Sequence, residues 1–513
     1  MNAIAEFGLI RSRTLVGIQA IPVLVEAQLL PGLPRFTIVG LPETAVRESR
    51  DRIRGAIKAA GIDFPERAIV VNLAPADLPK QGGRFDLPIA LAILQAMGCI
   101  DRMRCNHYEF VGELSLAGRL REVPGTLPTA LAVGETDRGL VVPDRSAGEA
   151  TLCEKATVYA AESLPELIAG LAGSRTLSAH RAGSATVQTP ELPDMSDVRG
   201  QQSARRALEI ACAGGHNLMM VGPPGTGKSM LANRACGILP PMSIEEAVET
   251  ASIESISSKG FHISNWRRRP FRSPHHTVSG VALVGVGSTP RPGEISLAHN
   301  GILFLDELAE FPRSVLDVLR EPLESGHVSI ARASCSADFP ASFQLVAATN
   351  PCPCGHAGDP DIACRCSEQQ INRYLSRLSG PFLDRIDIQV GVPRIDVATL
   401  RKSEAGESSV QIRERVSAAR ELQLQRQGCN NAKLGVATLE TVCALESDAN
   451  RFLEQAGSQL KLSLRGHHRV LRVARSIADL ESAECVQRAH VLEAIAYRQL
   501  SHQGTRAMGV QHS

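Results

Sequence analysis

The 513-residue chain is 43% hydrophobic and 21% charged, with a formal net charge of +1 at neutral pH. That is the profile of a water-soluble globular protein of about three domains, and any nucleic-acid contact has to come from a local patch rather than bulk basicity. No run of about 18 apolar residues appears, which excludes a membrane-spanning helix. Met1-Asn2-Ala3-Ile4-Ala5-Glu6 lacks the basic start and apolar core of a secretory signal, so a cytoplasmic location is expected, in which a cluster among the 13 cysteines signals metal rather than disulfides.

Residues 1–171 read as mixed α/β. Val23-Leu24-Val25-Glu26-Ala27, Phe36-Thr37-Ile38-Val39-Gly40 and Ala68-Ile69-Val70-Val71-Asn72-Leu73 are predicted strands, bounded by Pro and Gly. Residues 43–60 form a charged amphipathic helix stopped by Gly61, and 87–97 an apolar helix. Pro79-Lys80-Gln81-Gly82-Gly83-Arg84-Phe85-Asp86 and Gly112-Glu113-Leu114-Ser115-Leu116-Ala117-Gly118-Arg119 together resemble the proteolytic domain of Lon-type proteases, a ribosomal S5 domain 2-like fold. In the alignment this resemblance implies, Arg84 stands at the serine nucleophile and Leu127 at its lysine partner. An arginine is no nucleophile and a leucine accepts no proton, so the fold is expected without the protease chemistry.

Residues 172–196, rich in Gly, Ser, Ala, Pro and Thr, read as a linker, and residues 197–395 as a nucleotide-driven core. A helix from Ser203 to Ala213 leads to the apolar strand Asn217-Leu218-Met219-Met220-Val221. Then comes Gly222-Pro223-Pro224-Gly225-Thr226-Gly227-Lys228-Ser229, which matches the phosphate-binding loop G-x-x-x-x-G-K-S/T at every fixed position. Glycines let several N–H groups point at one centre, and the helix from Lys228 adds the positive end of its dipole. Lys228 supplies charge for the β and γ phosphates of ATP, and Ser229 a hydroxyl for Mg²⁺. Gly301-Ile302-Leu303-Phe304-Leu305-Asp306-Glu307 is a strand ending in two carboxylates: Asp306 for the Mg²⁺ shell, Glu307 to polarise the attacking water. Phe343-Gln344-Leu345-Val346-Ala347-Ala348-Thr349-Asn350 is a further strand, and Asn350 fits the γ-phosphate sensor called sensor 1. Arg385, in Asp384-Arg385-Ile386-Asp387, looks like the arginine finger of ring ATPases, with Arg377 the second candidate. P-loop, Asp-Glu strand, Asn strand, arginine and a helical end, in that order, are the ATPase core of the AAA+ class.

Residues 396–513 read as a helical lid, with 3.6-type periodicity over 410–424 and 488–500. AAA+ lids set an arginine, sensor 2, on the nucleotide, and in Leu462-Ser463-Leu464-Arg465-Gly466-His467-His468-Arg469-Val470-Leu471-Arg472 the candidates are Arg465, then Arg472.

The whole chain resembles the magnesium-chelatase-like YifB/ComM proteins of bacteria. Besides the motifs above, the resemblance rests on Leu73-Ala74-Pro75-Ala76-Asp77-Leu78-Pro79-Lys80, Phe271-Arg272-Ser273-Pro274-His275-His276-Thr277, Pro290-Arg291-Pro292-Gly293-Glu294-Ile295-Ser296-Leu297-Ala298-His299-Asn300-Gly301 and Asn350-Pro351-Cys352-Pro353-Cys354-Gly355. It implies a ring-forming ATPase, expected as a hexamer, that works on single-stranded or branched DNA as a helicase or branch-migration motor in natural transformation and homologous recombination. A protein-remodelling ATPase or a chelatase-type motor subunit is the alternative.

In the chelatase and replicative-helicase branch, inserts of the core project toward a central pore. Here Trp266-Arg267-Arg268-Arg269-Pro270-Phe271-Arg272 is the densest basic patch, flanked by aromatics, a composition suited to phosphates and stacked bases. Gly326-His327-Val328-Ser329-Ile330-Ala331-Arg332-Ala333 alternates like one arm of a β-hairpin and brings Arg332 as another DNA candidate. Cys352-Pro353-Cys354 and Cys364-Arg365-Cys366 set four thiols within fifteen residues, a spacing that lets them meet at one structural Zn²⁺, with His356 as the substitute ligand.

Overall fold

The computed structural model describes residues 6–180, 192–285, 290–332, 335–359, 361–396 and 406–498. Strand β1 (Phe7–Val16) pairs antiparallel with β2 (Gln19–Leu30). Strand β3 (Arg35–Val39) and β4 (Ala68–Ala74) complete a sheet ordered β1-β2-β4-β3. Helix α1 (Thr44–Ala59) and the wholly buried α2 (Asp86–Ala96) cover it, as their two patterns require: α1 amphipathic, α2 apolar all round. The predicted strands and helices of this region all form. Strand β1 was not among them, because Arg11-Ser12-Arg13-Thr14 interrupts the apolar alternation. It forms because buried Arg13 finds Glu109 at 2.7 Å and the Ala20 carbonyl at 3.0 Å.

A parallel three-stranded sheet follows, β5 (Tyr108–Phe110), β6 (Gly139–Pro143) and β7 (Val158–Ala161), with α3 (Thr126–Val133) and α4 (Asp144–Ala150) packed beside it. Arg84 is buried, donating from Nη2 to Thr129 Oγ1 at 3.0 Å, and Leu127 is sealed inside α3. No carboxylate pairs with Arg84 among the described residues, and burial pushes its guanidinium down to about 10.

Of the predicted linker, residues 181–191 lie outside the described residues. On one side His180 N–H donates to the Val158 carbonyl at 2.7 Å, and on the other Met195 is buried in the motor core.

The core begins with α5 (Gln202–Gly214), β8 (Leu218–Val221), α6 (Lys228–Ile238) and α7 (Ile244–Ser255). Strands β9 (Phe271–Arg272), β10 (Ile302–Leu305), β13 (Gln344–Thr349) and β14 (Ile388–Gly391) complete an all-parallel sheet ordered β9-β10-β13-β8-β14. Between β10 and β13 stands the hairpin β11 (His327–Arg332) and β12 (Cys335–Pro340), as the alternation predicts. The three central strands are buried along their length, which is why each reads as a near-continuous apolar run.

The carboxyl-terminal helices α8 (Ser409–Gln427), α9 (Ser447–Gln459), α10 (Leu464–Leu480) and α11 (Arg488–Ala496) do not form a detached lid. Val416, Ala419, Val473 and Ala474 share one apolar core with Leu218 and Val346 of the sheet. Arg420 donates to the Cys212 and Ala213 carbonyls at 2.8 and 3.0 Å, capping the end of α5. The amino-terminal region is joined to the core at the end of α7: Gly125 N–H donates to the Ser255 carbonyl at 3.0 Å, and the buried Ser255 hydroxyl donates to the half-buried Glu149 carboxylate.

Candidate nucleotide site and metal centre

Parallel strands deliver their carboxyl ends to one edge of the sheet, so three distant segments converge there. The loop after β8, the carboxylates after β10 and the amide after β13 line a cleft of about 360 Å³, from Pro224 to Met230 with Asp306, Glu307, Thr349 and Asn350. Gly225 and Gly227 take φ of 78° and 90°, left-handed values that turn the loop's N–H groups inward and that side chains rarely accept. Lys228 Nζ donates to the carbonyls of Gly222 (2.7 Å) and Pro223 (2.8 Å) and to Asn350 Oδ1 (3.2 Å). Burial lowers its pKa, and Asp306 and Glu307 oppose that shift. The ammonium is thus parked on neutral carbonyls that a phosphate would displace. Ser229 Oγ donates to Asp306 Oδ2 at 2.6 Å, placing together the hydroxyl and carboxylate that suit a Mg²⁺ ion. Glu307, at φ 52°, sits in the left-handed region, an uncommon conformation of the kind that accumulates at functional sites.

Other expected residues are not in the cleft. Arg385 is nearly buried, its guanidinium on Glu324 at 2.5 Å and on the Arg320 and Pro381 carbonyls. Arg377 is about half exposed, held by Glu310 at 2.9 Å and the Ala309 carbonyl at 3.0 Å, and so is the more accessible of the two. Arg465 is exposed on the first turn of α10, whereas Arg472 is spent on the Leu434 carbonyl at 2.6 Å. Neither lines the cleft.

The arginines of the 267–272 segment, expected to contact DNA, stand in two different settings. Arg269 is engaged by the carbonyls of Pro240 (2.6 Å) and Asn300 (2.7 Å) and by Glu246 (2.9 Å). Arg272 is in a two-bond pair with Glu294 at 2.6 and 2.7 Å. Trp266 packs on the apolar cluster of the amino-terminal region, so its ring is not a free stacking face. Each of these groups found an intramolecular partner remote in sequence. Exposed Arg267 makes one 3.3 Å contact, to the Met242 carbonyl, and no ion pair involves Arg268 among the described residues. Arg332 is the last paired residue of β11, at the hairpin tip.

The four cysteines do converge. Cys352, Cys354 and Cys364 Sγ atoms lie 3.4–3.7 Å apart, and all four thiols, Cys366 included, fall within 4.8 Å of one another. A tetrahedral Zn²⁺ with Zn–S bonds of about 2.3 Å sets sulfurs about 3.8 Å apart, so the donor set fits that ion. Backbone N–H groups of Ala357 and Cys366 donate to the Cys352 and Cys364 sulfurs at 3.3 and 3.4 Å, as thiolates would favour. His356 pairs through Nδ1 with Asp359 at 3.1 Å and is not among the four converging donors. The loop rests on the nucleotide site: a Cβ at Gly355 (φ 86°) would stand 2.7 Å from Pro224 Cδ.

Three groups escape a motif reading. Gln201 braces the P-loop through the Thr226 carbonyl at 3.3 Å and the Pro393 carbonyl at 2.7 Å. Asp387 accepts from Asn217 N–H at 3.1 Å and pairs with Arg469 of α10; against burial, Arg469 and His216 hold its carboxyl well below the usual range. His276 touches Glu307. Nothing in the sequence signals the last, because His276 and Glu307 meet only through the parallel pairing of β9 with β10.

The fold and cleft define a P-loop ATPase of the AAA+ class, with an intact phosphate loop and a carboxylate beside its serine. Comparisons with known proteins carry this further. Residues 194–400 match the magnesium chelatase, subunit ChlI family, residues 25–146 the family of subunit ChlI of Mg-chelatase, and residues 406–498 that subunit's carboxyl-terminal family. The chain is 47% identical over 498 residues to the competence protein ComM of Haemophilus influenzae, covering 96% of this chain and 97% of that one. It is 46% identical over 495 residues to YifB of Escherichia coli, with 96% and 97% covered, and 27% identical over 337 residues to the magnesium-chelatase 38 kDa subunit of Rhodobacter capsulatus, with 60% and 86% covered. The chain belongs to the YifB/ComM family of magnesium-chelatase-like AAA+ proteins. No helix among the described residues is long and apolar enough to cross a membrane.

Proposed function

We propose that the chain is an ATP-driven ring motor that translocates on DNA and unwinds it or migrates branches, serving homologous recombination and, as the name of its Haemophilus relative suggests, competence. The observation that carries this reading is the chain position of the β11–β12 hairpin, which follows the Asp306-Glu307 strand after the short helices within residues 308–325 and leads straight into the Asn350 strand. A change at the γ-phosphate is felt by both strands that bracket the hairpin, so ATP turnover has a short mechanical route to its tip. Arg332 at that tip, with Arg267 and Arg268, supplies the phosphate contacts.

Six subunits are expected in the ring, with Arg377 or Arg385 reaching a neighbour's γ-phosphate and Arg465 completing the subunit's own site. The inactive Lon-like region, fixed to α7 through Ser255, acts as a rigid collar. One Zn²⁺ on Cys352, Cys354, Cys364 and Cys366 staples the loop that backs Pro224. The deciding experiment measures ATP hydrolysis and displacement of a labelled strand on single-stranded, forked and four-way DNA. Replacing Arg268 and Arg332 together is expected to abolish displacement and flatten the salt slope of single-strand binding by about 1.4, at about 0.7 per lost phosphate contact. Stimulation by unfolded protein but not by DNA would replace this reading with protein remodelling.

A further inference from the structure

Helix α1 of the amino-terminal region turns a row of cations to solvent. At about 3.6 residues per turn, Arg47, Arg54 and Lys58 fall within about 40° of one another around its axis, with Arg50 about 60° to one side. All four are exposed, and so is Arg35 on the neighbouring strand β3. Arg52, turned inward on the same helix, is bonded twice to Asp86 at 2.7 and 3.1 Å, and Arg67 pairs with Glu6 at 3.0 Å; none of the five outward cations has an ion pair among the described residues. Glu48 and Asp51 are the carboxylates that α1 exposes, Asp51 beside the row and Glu48 on its flank, so the face stays net positive.

A solvated helix face is often charged, but here the cations are also held in place. Arg50 donates from Nε to the Arg47 carbonyl at 3.0 Å and from Nη1 to the Phe36 carbonyl at 3.3 Å. The Arg54 guanidinium lies over the Phe64 ring, 5.6 Å from its centroid. Neither contact neutralises charge, and both reduce the side-chain freedom that binding would otherwise cost.

The chemistry of the face selects its partner. From Arg47 to Lys58 is about 16 Å of helix, and B-DNA carries a phosphate charge for about every 1.7 Å of its axis, so each cation finds a phosphate within that length. No large apolar side chain of α1 is exposed, which disfavours insertion into a lipid surface. Phe36 and Phe64 are half-buried, so no open ring awaits an unstacked base. Strand β3 is the edge of its sheet, and Arg50 takes one of its carbonyls, which blunts addition of a peptide strand.

We propose that this face of α1 is a second DNA contact, one that holds the phosphate backbone of a duplex without reading its sequence. It rests on the reading of the chain as a DNA motor, and it adds where the duplex arm of a branched substrate is held. The hairpin tip and the Arg267-Arg268 segment act on one strand, and the amino-terminal region, fastened to the core at Ser255, holds the duplex.

The test is equilibrium binding of the full chain to a labelled blunt duplex and to a single-stranded oligonucleotide over a salt series. Wild type is compared with combined Arg47→Ala, Arg54→Ala and Lys58→Ala, with combined Arg47→Lys and Arg54→Lys, and with Asp51→Asn. Arg50 stays, because it covers β3. The alanine variant should lower the slope of log affinity against log salt for the duplex by about 2.7, at about 0.9 per lost contact, and leave the single-strand slope as it is. The lysine variant should keep the wild-type slope. Asp51→Asn, which removes the carboxylate beside the row, should tighten duplex binding at low salt about twofold, a gain that misfolding cannot produce. An unchanged duplex slope in the alanine variant, with strand displacement by wild type intact, overturns the inference and leaves the motor reading standing. An equal fall of both slopes overturns the assignment to duplex. Wild type that binds neither DNA overturns both readings. Wild-type binding to phosphatidylserine-containing vesicles that the alanine variant loses, with its duplex slope unchanged, would replace the DNA contact with a membrane contact.

Discussion

The chain contains two glycine-led turns that each open a buried helix, and they have had different fates. In the amino-terminal region, Gly82-Gly83-Arg84-Phe85 leads into α2; in the core, Gly225-Thr226-Gly227-Lys228 leads into α6. Each turn brings a cation. Arg84 is sealed in, bonded to Thr129, with its Nε unpaired and burial disfavouring its charge. Lys228 is also largely buried, but it borders a cleft and rests on exchangeable carbonyls beside Asp306 and Glu307. The difference teaches that a turn and a cation do not make a site. What makes one is convergence of further strand ends at the same edge, and the parallel sheet supplies this for Lys228.

The comparison can be broken most sharply at the cleft. Glu307→Gln should lower kcat by about 10²–10⁴-fold while leaving ATP binding intact, the range expected for loss of a general base. A radiolabelled-ATP assay with equilibrium binding checks both halves. Lys228→Ala should cost about 10²–10³ in kcat/KM, since one aimed charge is lost. The counter-experiment on the other turn is Arg84→Ser with Leu127→Lys. It should produce no peptidase activity against unfolded casein, because both positions are buried in a packed interior; measurable cleavage would reopen the protease reading.

A smaller effect concerns the metal centre that backs the cleft. Protein purified without added metal should carry one zinc per chain by elemental analysis. Cys354→Ser with Cys364→Ser should lose it and raise KM for ATP roughly tenfold, as when a supporting shell of a site is removed. Full metal loss with unchanged KM would separate the staple from the P-loop. The smallest effect is expected at the sealed turn. Arg84→Met, removing an unpaired buried cation at similar volume, should leave ATP turnover unchanged and stabilise the amino-terminal region by about 1–3 kcal/mol, read by urea denaturation. Destabilisation would mean that the Thr129 bond outweighs the desolvation of the charge.

What could be read without coordinates was whatever lies in one contiguous stretch. The phosphate loop is strand, turn and helix in sequence, and its function follows from backbone angles and one charge. The carboxylate and amide strand ends were equally legible, as was the C-x-C pair of pairs, because a short loop has few ways to keep four thiols apart. The 267–272 segment was only partly legible, for a complementary reason. A run of arginines looks free when Glu246, Glu294 and the Pro240 and Asn300 carbonyls are out of view, yet those partners claim Arg269 and Arg272.

The sequence by itself therefore determined the class of machine: an α/β ATPase core with its phosphate loop and the Asp306-Glu307 and Asn350 strand ends, and a chelatase-type family. Tertiary structure alone decided that strand β1 exists, that the carboxyl-terminal helices share the sheet's own core, that Gly355 presses on Pro224, and that His276 meets Glu307. The physical reason is range. Periodicity, turn chemistry and motif spacing act over one or two elements of chain, whereas ion pairing, burial and the meeting of parallel strand ends are settled between segments tens to hundreds of residues apart, and nothing local records which partner will arrive.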